Sequence, residues 1–218
     1  MSKYRGNLPQ LRSGIFLTDG GLETTLIFHE GLSLPFFAAF DLLKNEDGLR
    51  VLRRYFERYA SIARAQGVGL VLETPTWRAN RDWAEKLGYD SPALADANRR
   101  SVGLLLEIRK AFETARTRIV ISGNLGPRGD GYNPGKRMSA GEAQAYHVEQ
   151  IDVFCGTDAD MVAALTMTYT EEAIGVARAA QAGGMPVAIS FTTETDGRLP
   201  SGEALREAIA RTDEATDG

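Results

Sequence analysis

Apolar residues along the chain fall into two alternating arrangements. Longer segments carry an apolar residue at every third or fourth position, which predicts amphipathic helices. Between them lie short apolar runs rich in β-branched side chains, which are typical of strands buried on both faces. Five such runs occur, at about residues 14–18, 68–72, 118–121, 161–165 and 186–190. The pattern predicts a strand, a loop and a helix five times in succession.

The predicted helices have recognisable ends. Ser139 followed by Glu142 has the spacing of a capping box. Ser91 is the expected N-cap of its helix, with Pro92 in the first turn. Gly67 is a typical helix stop. These signals place the helices at about residues 47–66, 91–115, 139–157, 170–182 and 202–212.

The alternation of strands and helices implies a parallel sheet with right-handed crossovers. We predict an α/β fold of the (β/α)8 TIM-barrel type, with about five of the eight units present. This partial barrel is expected to occupy residues 14–218, after an N-terminal arm at residues 1–13. A doubly wound open sheet is the competing fold, but it usually has a glycine-rich fingerprint after its first strand. Asp19-Gly20-Gly21 does not match that fingerprint.

Polar residues follow each predicted strand. In (β/α)8 barrels the reactive groups lie at the carboxyl ends of the strands, so these residues are expected to share one rim. An open barrel would also leave its first and fifth strands unpaired, which predicts self-association and a possible homo-oligomer. The candidate rim residues are Asp19, Gly20, Glu73, Thr74, Asn124, Thr166, Thr168, Thr192 and Glu194.

Composition narrows the function classes. A net charge of −4 disfavours a nucleic-acid partner. No apolar run approaches the roughly 18 residues that span a bilayer, and residues 1–13 lack the apolar core of a signal peptide. A single cysteine, Cys155, rules out an internal disulfide framework. We predict a cytoplasmic protein that binds small molecules, with neither nucleic acid nor a membrane as partner.

Three segments in their order and spacing resemble the homocysteine S-methyltransferase family: LTDGGLET at 17–24, ETPTWRAN at 73–80 and GNLGP at 123–127. Residues 146–150 and 190–202 are also similar. The resemblance implies a (β/α)8 barrel that moves a methyl group from a sulfonium, ammonium or folate donor to the thiol of homocysteine, which gives methionine. It also implies a Zn²⁺ ion, held by three cysteines, that activates this thiol.

The resemblance assigns roles to particular residues. The Asp-Gly pair after the first strand lines the homocysteine site, and here it is Asp19 and Gly20. Many members have Glu-Thr after strand four, with the glutamate on the substrate amino group. This chain has Thr166-Met167 there, so Glu73 is a candidate to replace the missing acid. Thr74, Asn124 and Thr166 are then expected to line a polar substrate pocket.

The zinc cysteines of the family follow strands six and eight, so they are expected beyond Gly218, and no metal ligand is predicted within the chain. Cys155 is predicted in the helix before strand four, away from the rim. His147 is expected to pack within a helix and His29 to be solvated. We therefore expect the chain to be incomplete for catalysis.

Simpler interpretations remain open. Asp19 and Asn124 would also suit turns, and Glu73 would suit a surface ion pair. Trp77 and Trp83 follow strand two and are expected to pack in the core or in loops, with a roof over the site as the alternative. At the level of function, the alternative to an enzyme is a non-catalytic remnant or a small-molecule-binding module of the same fold. A barrel lyase acting on a phosphorylated substrate ranks last, because its phosphate loops follow strands seven and eight.

Overall fold

The computed structural model describes residues 2–12 and 14–217, in which five parallel strands form a curled half-barrel. Neighbouring strands in the sheet are also neighbours in sequence, in the order β1 to β5. A doubly wound sheet would reverse its order at a switch point, so the competing fold is excluded. The strands are β1 Phe16–Thr18, β2 Gly69–Glu73, β3 Ile119–Leu125, β4 Met161–Met167 and β5 Val187–Phe191.

Helices join successive strands and cover the outer face of the sheet. The described residues also contain short 3-10 turns at Pro9–Leu11, Pro35–Phe37 and Ala39–Lys44, and a π-helical turn at Thr25–His29 that continues the first helix. The helices are α1 Leu22–Thr24, α2 Glu46–Gln66, α3 Arg81–Glu85, α4 Ser91–Phe112, α5 Ala140–Cys155, α6 Thr170–Ala182 and α7 Leu205–Thr216.

The helix ends follow their sequence signals with one exception. Ser139 and Glu142 form the predicted capping box, and Gly67 ends α2 in the left-handed conformation. The N-cap of α4 was wrongly predicted at Ser91. The side chain of Asp90 accepts the cap hydrogen bond from the N–H of Ala93 at 2.8 Å, so Ser91 is already helical. Asp and Ser cap equally well, and sequence alone does not separate two adjacent candidates.

Several predicted boundaries differ from the structure. β1 begins at Phe16 rather than at residue 14, because Gly14 has a left-handed backbone. β3 and β4 extend past their apolar runs to Leu125 and Met167, since Leu125 still pairs with Ala164 and Met167 with Phe191. α7 covers 205–216 instead of 202–212, and the buried hydroxyls of Thr212 and Thr216 bond to carbonyls one turn back.

Strand side chains alternate between two cores. Those facing outward, such as Leu70 and Leu72, join one large cluster with the helices. The inward-facing Val71, Val120 and Met161 form a smaller cluster inside the half-barrel. The register places Val71 opposite Val120, so the two alternating faces stay aligned across neighbouring strands.

The N-terminal segment closes the amino end of the half-barrel. Tyr4 and Leu8 pack against the inner cluster. The guanidinium of Arg5 donates to the carbonyls of Cys155, Thr157 and Ala159 at 2.8–3.1 Å. The buried carboxylate of Asp160 accepts from the N–H of Tyr4 at 2.7 Å and pairs with Arg109. These contacts leave the carboxyl end of the strands as the end where a ligand can enter. Met1, Ser13 and Gly218 lie outside the described residues.

Candidate substrate site

A cavity of about 580 Å³ opens at the carboxyl end of the sheet. Its walls come from the ends of β1 to β4 and from the loops that follow β1, β2 and β3. The prediction of a shared rim therefore agrees with the structure, although a role in substrate binding stays a prediction. The six residues predicted as substrate ligands all line this cavity: Asp19, Gly20, Glu73, Thr74, Asn124 and Thr166.

Four carboxyl groups line this cavity, and three of them, Asp19, Glu23 and Glu73, have raised pKa values. Asp19 Oδ1 accepts a hydrogen bond from the backbone N–H of Glu73 at 3.3 Å. Burial raises the pKa of Asp19 to about 7 and that of Glu73 to about 8, and the charge of Asp19 adds to the shift of Glu73. Burial also raises the pKa of Glu23 to about 7, against the opposing effect of Arg78. Acids with raised pKa values in a cleft are typical of functional sites.

Glu73 is suited to receive a donor from a ligand. Its Oε2 atom is buried and has no hydrogen-bond partner within the described part of the chain. A buried acceptor without a partner costs about 1–3 kcal/mol, and a bound ammonium group would remove that cost. The alternative interpretation, a surface ion pair, does not fit the structure, because Glu73 is half-buried and lines the cavity.

Gly20 is constrained by the protein itself. A Cβ atom there would lie 2.6 Å from the hydroxyl of Tyr59. Tyr55 in turn donates its hydroxyl hydrogen to the carbonyl of Gly20 at 2.8 Å. The absence of a side chain at Gly20 thus lets α2 approach the loop after β1 and hold it against the cavity.

Thr74 connects β2 to β3. Its Oγ1 accepts from the N–H of Asn124 at 2.8 Å and lies 2.6 Å from the hydroxyl of Thr76. Thr76 then donates to the carbonyl of Asn124 at 2.7 Å. The two hydroxyls hold the end of β3, and the Asn124 side chain, whose Oδ1 is buried without a described partner, lines the cavity.

Thr166 lies where the resemblance implies an acid in many members, and its hydroxyl is already engaged. It accepts from the indole N–H of Trp77 at 3.0 Å and donates to the carbonyl of Leu165 at 2.6 Å. Its φ of 60° is left-handed, which is unusual for a β-branched residue and coincides with a register shift between Ala164 and Met167. This strain at the rim is of the kind that functional sites retain.

Several cavity residues were missed by the sequence analysis. Trp77 was expected in core or loop packing, but it forms part of the cavity wall. Glu23 lies in the first turn of α1, four residues after Asp19, and its position just after a rim strand was the available signal. The loops after β2 and β3 supply the others, and their position after rim strands was the only hint. The missed residues are Glu23, Trp77, Arg78, Asp130 and Tyr132.

Comparison with known proteins agrees with the geometry. The family model described as homocysteine S-methyltransferase matches residues 16–217. The chain belongs to the homocysteine S-methyltransferase family. A search of curated proteins by sequence gave no match.

Solved structures with the same fold include a member of this family. The metallated form of the homocysteine methyltransferase MmuM from Escherichia coli superposes with a TM-score of 0.77 at 18% identity, covering 98% of this chain and 75% of that one. The oxidized form gives 0.78 at 20% identity, covering 99% and 74%. The apo form gives 0.70 at 20% identity, covering 98% and 72%. At this identity the likeness concerns the fold.

The described residues do not fit the zinc ion of a homocysteine S-methyltransferase. Among residues 2–12 and 14–217, no three His, Cys, Asp or Glu side chains converge on one point that could hold a metal. Cys155 ends α5, where its Sγ lies 3.6 Å from the carbonyl of Gly183. His147 is buried 2.9 Å from Glu172, and His29 is exposed. Thiol activation is therefore not assigned to any described residue.

In the same part of the chain, no helix combines the length and the apolar character needed to cross a membrane.

Proposed function

We propose that the cavity binds homocysteine. We further propose that the protein takes part in the transfer of a methyl group to the homocysteine thiol, which gives methionine. One observation supports this proposal: in a chain of the homocysteine S-methyltransferase family, Asp19 contacts the backbone of Glu73 at the carboxyl ends of the strands. A charge-assisted hydrogen bond from an ammonium group to either carboxylate would hold the amino-acid end of the substrate.

The raised pKa values of Asp19 and Glu73 suit the binding of a cation. At neutral pH, raised pKa values keep Asp19 and Glu73 partly protonated, which limits the cost of burying two negative charges side by side. An ammonium ion favours their charged forms, so its binding draws protons off the pair. Glu73 thereby takes the role that an acid after strand four has in many family members.

Thiol activation needs a group beyond those described. A free thiol has a pKa of about 8.5, so only roughly 3% is ionised at pH 7. A zinc ion of the kind the family resemblance implies would bind the substrate sulfur and lower its pKa, so that the thiol loses its proton. We propose that the described residues supply amino-acid recognition, and we propose zinc, a methyl donor and a cytoplasmic location on the family resemblance and on sequence alone.

The second candidate is a binding module of the same fold without catalysis. It is favoured by one observation: the described residues bring together amino-acid-binding groups but no three-ligand metal cluster. The two candidates share the homocysteine site and differ in turnover.

The test combines binding with turnover. Titration of the purified chain with L-homocysteine is expected to show saturable binding, which Asp19→Asn weakens about tenfold, since a hydrogen bond between charged groups is lost. Asp96→Asn, at an exposed position on α4, is the matched control and should leave binding unchanged. Methyl transfer is measured in parallel, and turnover by the purified chain would identify the enzyme. The absence of saturable binding would overturn both candidates.

A further inference from the structure

Arg78 is a buried cation in the cavity wall. Its side chain is only 5% exposed, although it lines a cavity open to solvent. The guanidinium carbon lies 4.0 Å from the ring centre of Trp77 and 3.9 Å from that of Trp83. Both indoles are within cation–π distance of the guanidinium, which holds the group in place and leaves hydrogen bonding to the N–H groups along its edges.

Along one edge of this guanidinium, the N–H groups lack good hydrogen-bond partners among the described residues. Nη1 donates to the carbonyl of Gly129 at 2.8 Å. Nη2 lies 3.5 Å from Asp130 Oδ2, which is a long ion pair, and the buried Nε has no hydrogen-bond partner among the described residues. The N–H groups of Nε and Nη2 point side by side along the same edge. This is an arrangement in which arginine binds a carboxylate through two parallel hydrogen bonds.

Asp130 is a weak occupant of that edge. Its side chain is 49% exposed, and its other oxygen accepts from the N–H of Tyr132 at 2.8 Å. Exposed ion pairs contribute little to stability, and this pair also lacks the short distance of a charge-assisted hydrogen bond. A carboxylate with better geometry can displace Asp130 at small cost, while Arg78 stays fixed by its two indoles and by Gly129.

We propose that Arg78 anchors the α-carboxylate of the amino-acid ligand through Nε and Nη2, and that this carboxylate displaces Asp130. The inference rests on the proposed function and deepens it. With the ammonium group on Asp19 and Glu73 and the carboxylate on Arg78, the cavity selects α-amino acids over simple amines and simple thiols. Arg78 is then a specificity-determining residue.

Two probes separate the amino acid from its parts. L-Homocysteine carries the ammonium, carboxylate and thiol groups, whereas 3-aminopropane-1-thiol lacks only the carboxylate. Trp77 and Trp83 are the two tryptophans of the chain and both flank Arg78, so indole fluorescence reports on the site. Titrations of both probes are made with the wild-type chain and with Arg78→Gln, Asp130→Asn and Arg81→Gln. Arg81 is exposed and does not line this cavity, so it is the matched control.

The variants are expected to act in opposite directions. Arg78→Gln should weaken homocysteine binding about ten- to a hundredfold and leave 3-aminopropane-1-thiol nearly unchanged. Asp130→Asn should tighten homocysteine binding about two- to fivefold, because it removes the competing carboxylate, again without effect on the amine. Arg81→Gln should match the wild type with both probes.

The outcomes distinguish this inference from the function on which it rests. If homocysteine binds to the wild type but Asp130→Asn weakens it or leaves it unchanged, the anchor is wrong while the proposed function stands. The same holds if Arg78→Gln, shown to be folded by circular dichroism, affects both probes equally. If homocysteine does not bind to the wild type, the proposed function fails and the anchor fails with it. Asp130→Asn, on an exposed side chain, keeps the test decisive even if Arg78→Gln does not fold.

Discussion

The backbone N–H of Glu73 donates to the carboxylate of Asp19 across 3.3 Å, which joins the carboxyl ends of β1 and β2 through an acidic side chain. The charge of Asp19 also raises the pKa of Glu73, so a cation in the cavity favours the charged forms of both acids. We therefore expect the affinity of this cavity for a cationic ligand to depend on pH.

We expect homocysteine to bind more tightly as the pH rises from about 6 to about 8. The pKa values of Asp19 and Glu73 are raised to about 7 and about 8, so both acids are largely neutral at the lower pH and gain charge across this interval. An ammonium group binds the charged forms, which predicts a gain of about tenfold in affinity. Titrations at several pH values measure it, and Asp19→Asn should flatten the profile. An affinity that falls or stays level would contradict binding of the ammonium group by the charged forms of Asp19 and Glu73.

Glu73→Gln should stabilise the fold at pH 8 and have little effect at pH 5. The raised pKa means that the folded state holds a proton which the unfolded state has released, so this group lowers stability as the pH rises from about 4.5 to about 8. Each unit of pKa difference is worth about 1.4 kcal/mol, and the open cavity reduces the effect to about 1–2 kcal/mol. Urea unfolding at both pH values measures this difference. Glu149→Gln, on an exposed side chain, serves as the control.

Two glycines in helix interiors should respond oppositely to alanine. A Cβ at Gly175 would lie 2.4 Å from the Cβ of Ala143 and 2.6 Å from the N of Gln144, so Gly175→Ala must push α5 and α6 apart, at a cost of about 1–3 kcal/mol. A Cβ at Gly103 in α4 meets nothing within 4 Å, so Gly103→Ala should stabilise by about 0.5–1 kcal/mol. Thermal unfolding compares the two, and equal shifts would refute close packing of α5 on α6.

We expect the chain not to hold zinc tightly and not to methylate homocysteine by itself. A catalytic zinc needs three protein ligands, and the described residues bring no such set together. Elemental analysis after dialysis, with a methyl-transfer assay alongside, tests this expectation. About one zinc per chain, lost in Cys155→Ser, would show that Cys155 reaches a metal site.

The chain is also expected to self-associate through its sheet edges. Within residues 2–12 and 14–217, β1 and β5 each pair with one strand only, and the exposed Ile15 precedes β1. Unpaired edges with apolar neighbours favour pairing with another copy, and a lysine at an edge opposes it. Light scattering should show oligomers that Ile15→Lys reduces, whereas Ile62→Lys, on the outer face of α2, should not. A stable monomer over a wide concentration range would argue against edge pairing.

The sequence by itself determined the order of elements and one end of the site. Short β-branched runs between amphipathic segments leave a parallel sheet as the stable arrangement, and signals such as Gly67 and the Ser139–Glu142 box act within a few residues. Because parallel strands end on one side, Asp19 and Glu73 had to meet at one rim whatever the details of packing. That part of the site is local and periodic, so it can be read from the chain.

Only the tertiary structure decided what those residues face. The stacking of Arg78 between Trp77 and Trp83, and its bond to Gly129, join loops after different strands, and no periodic pattern encodes such contacts. The raised pKa values of the rim acids likewise depend on burial by distant segments rather than on neighbours in sequence. The sequence therefore determined that the acids lie at the rim. Long-range packing determined their pKa values and brought Arg78 into the cavity wall.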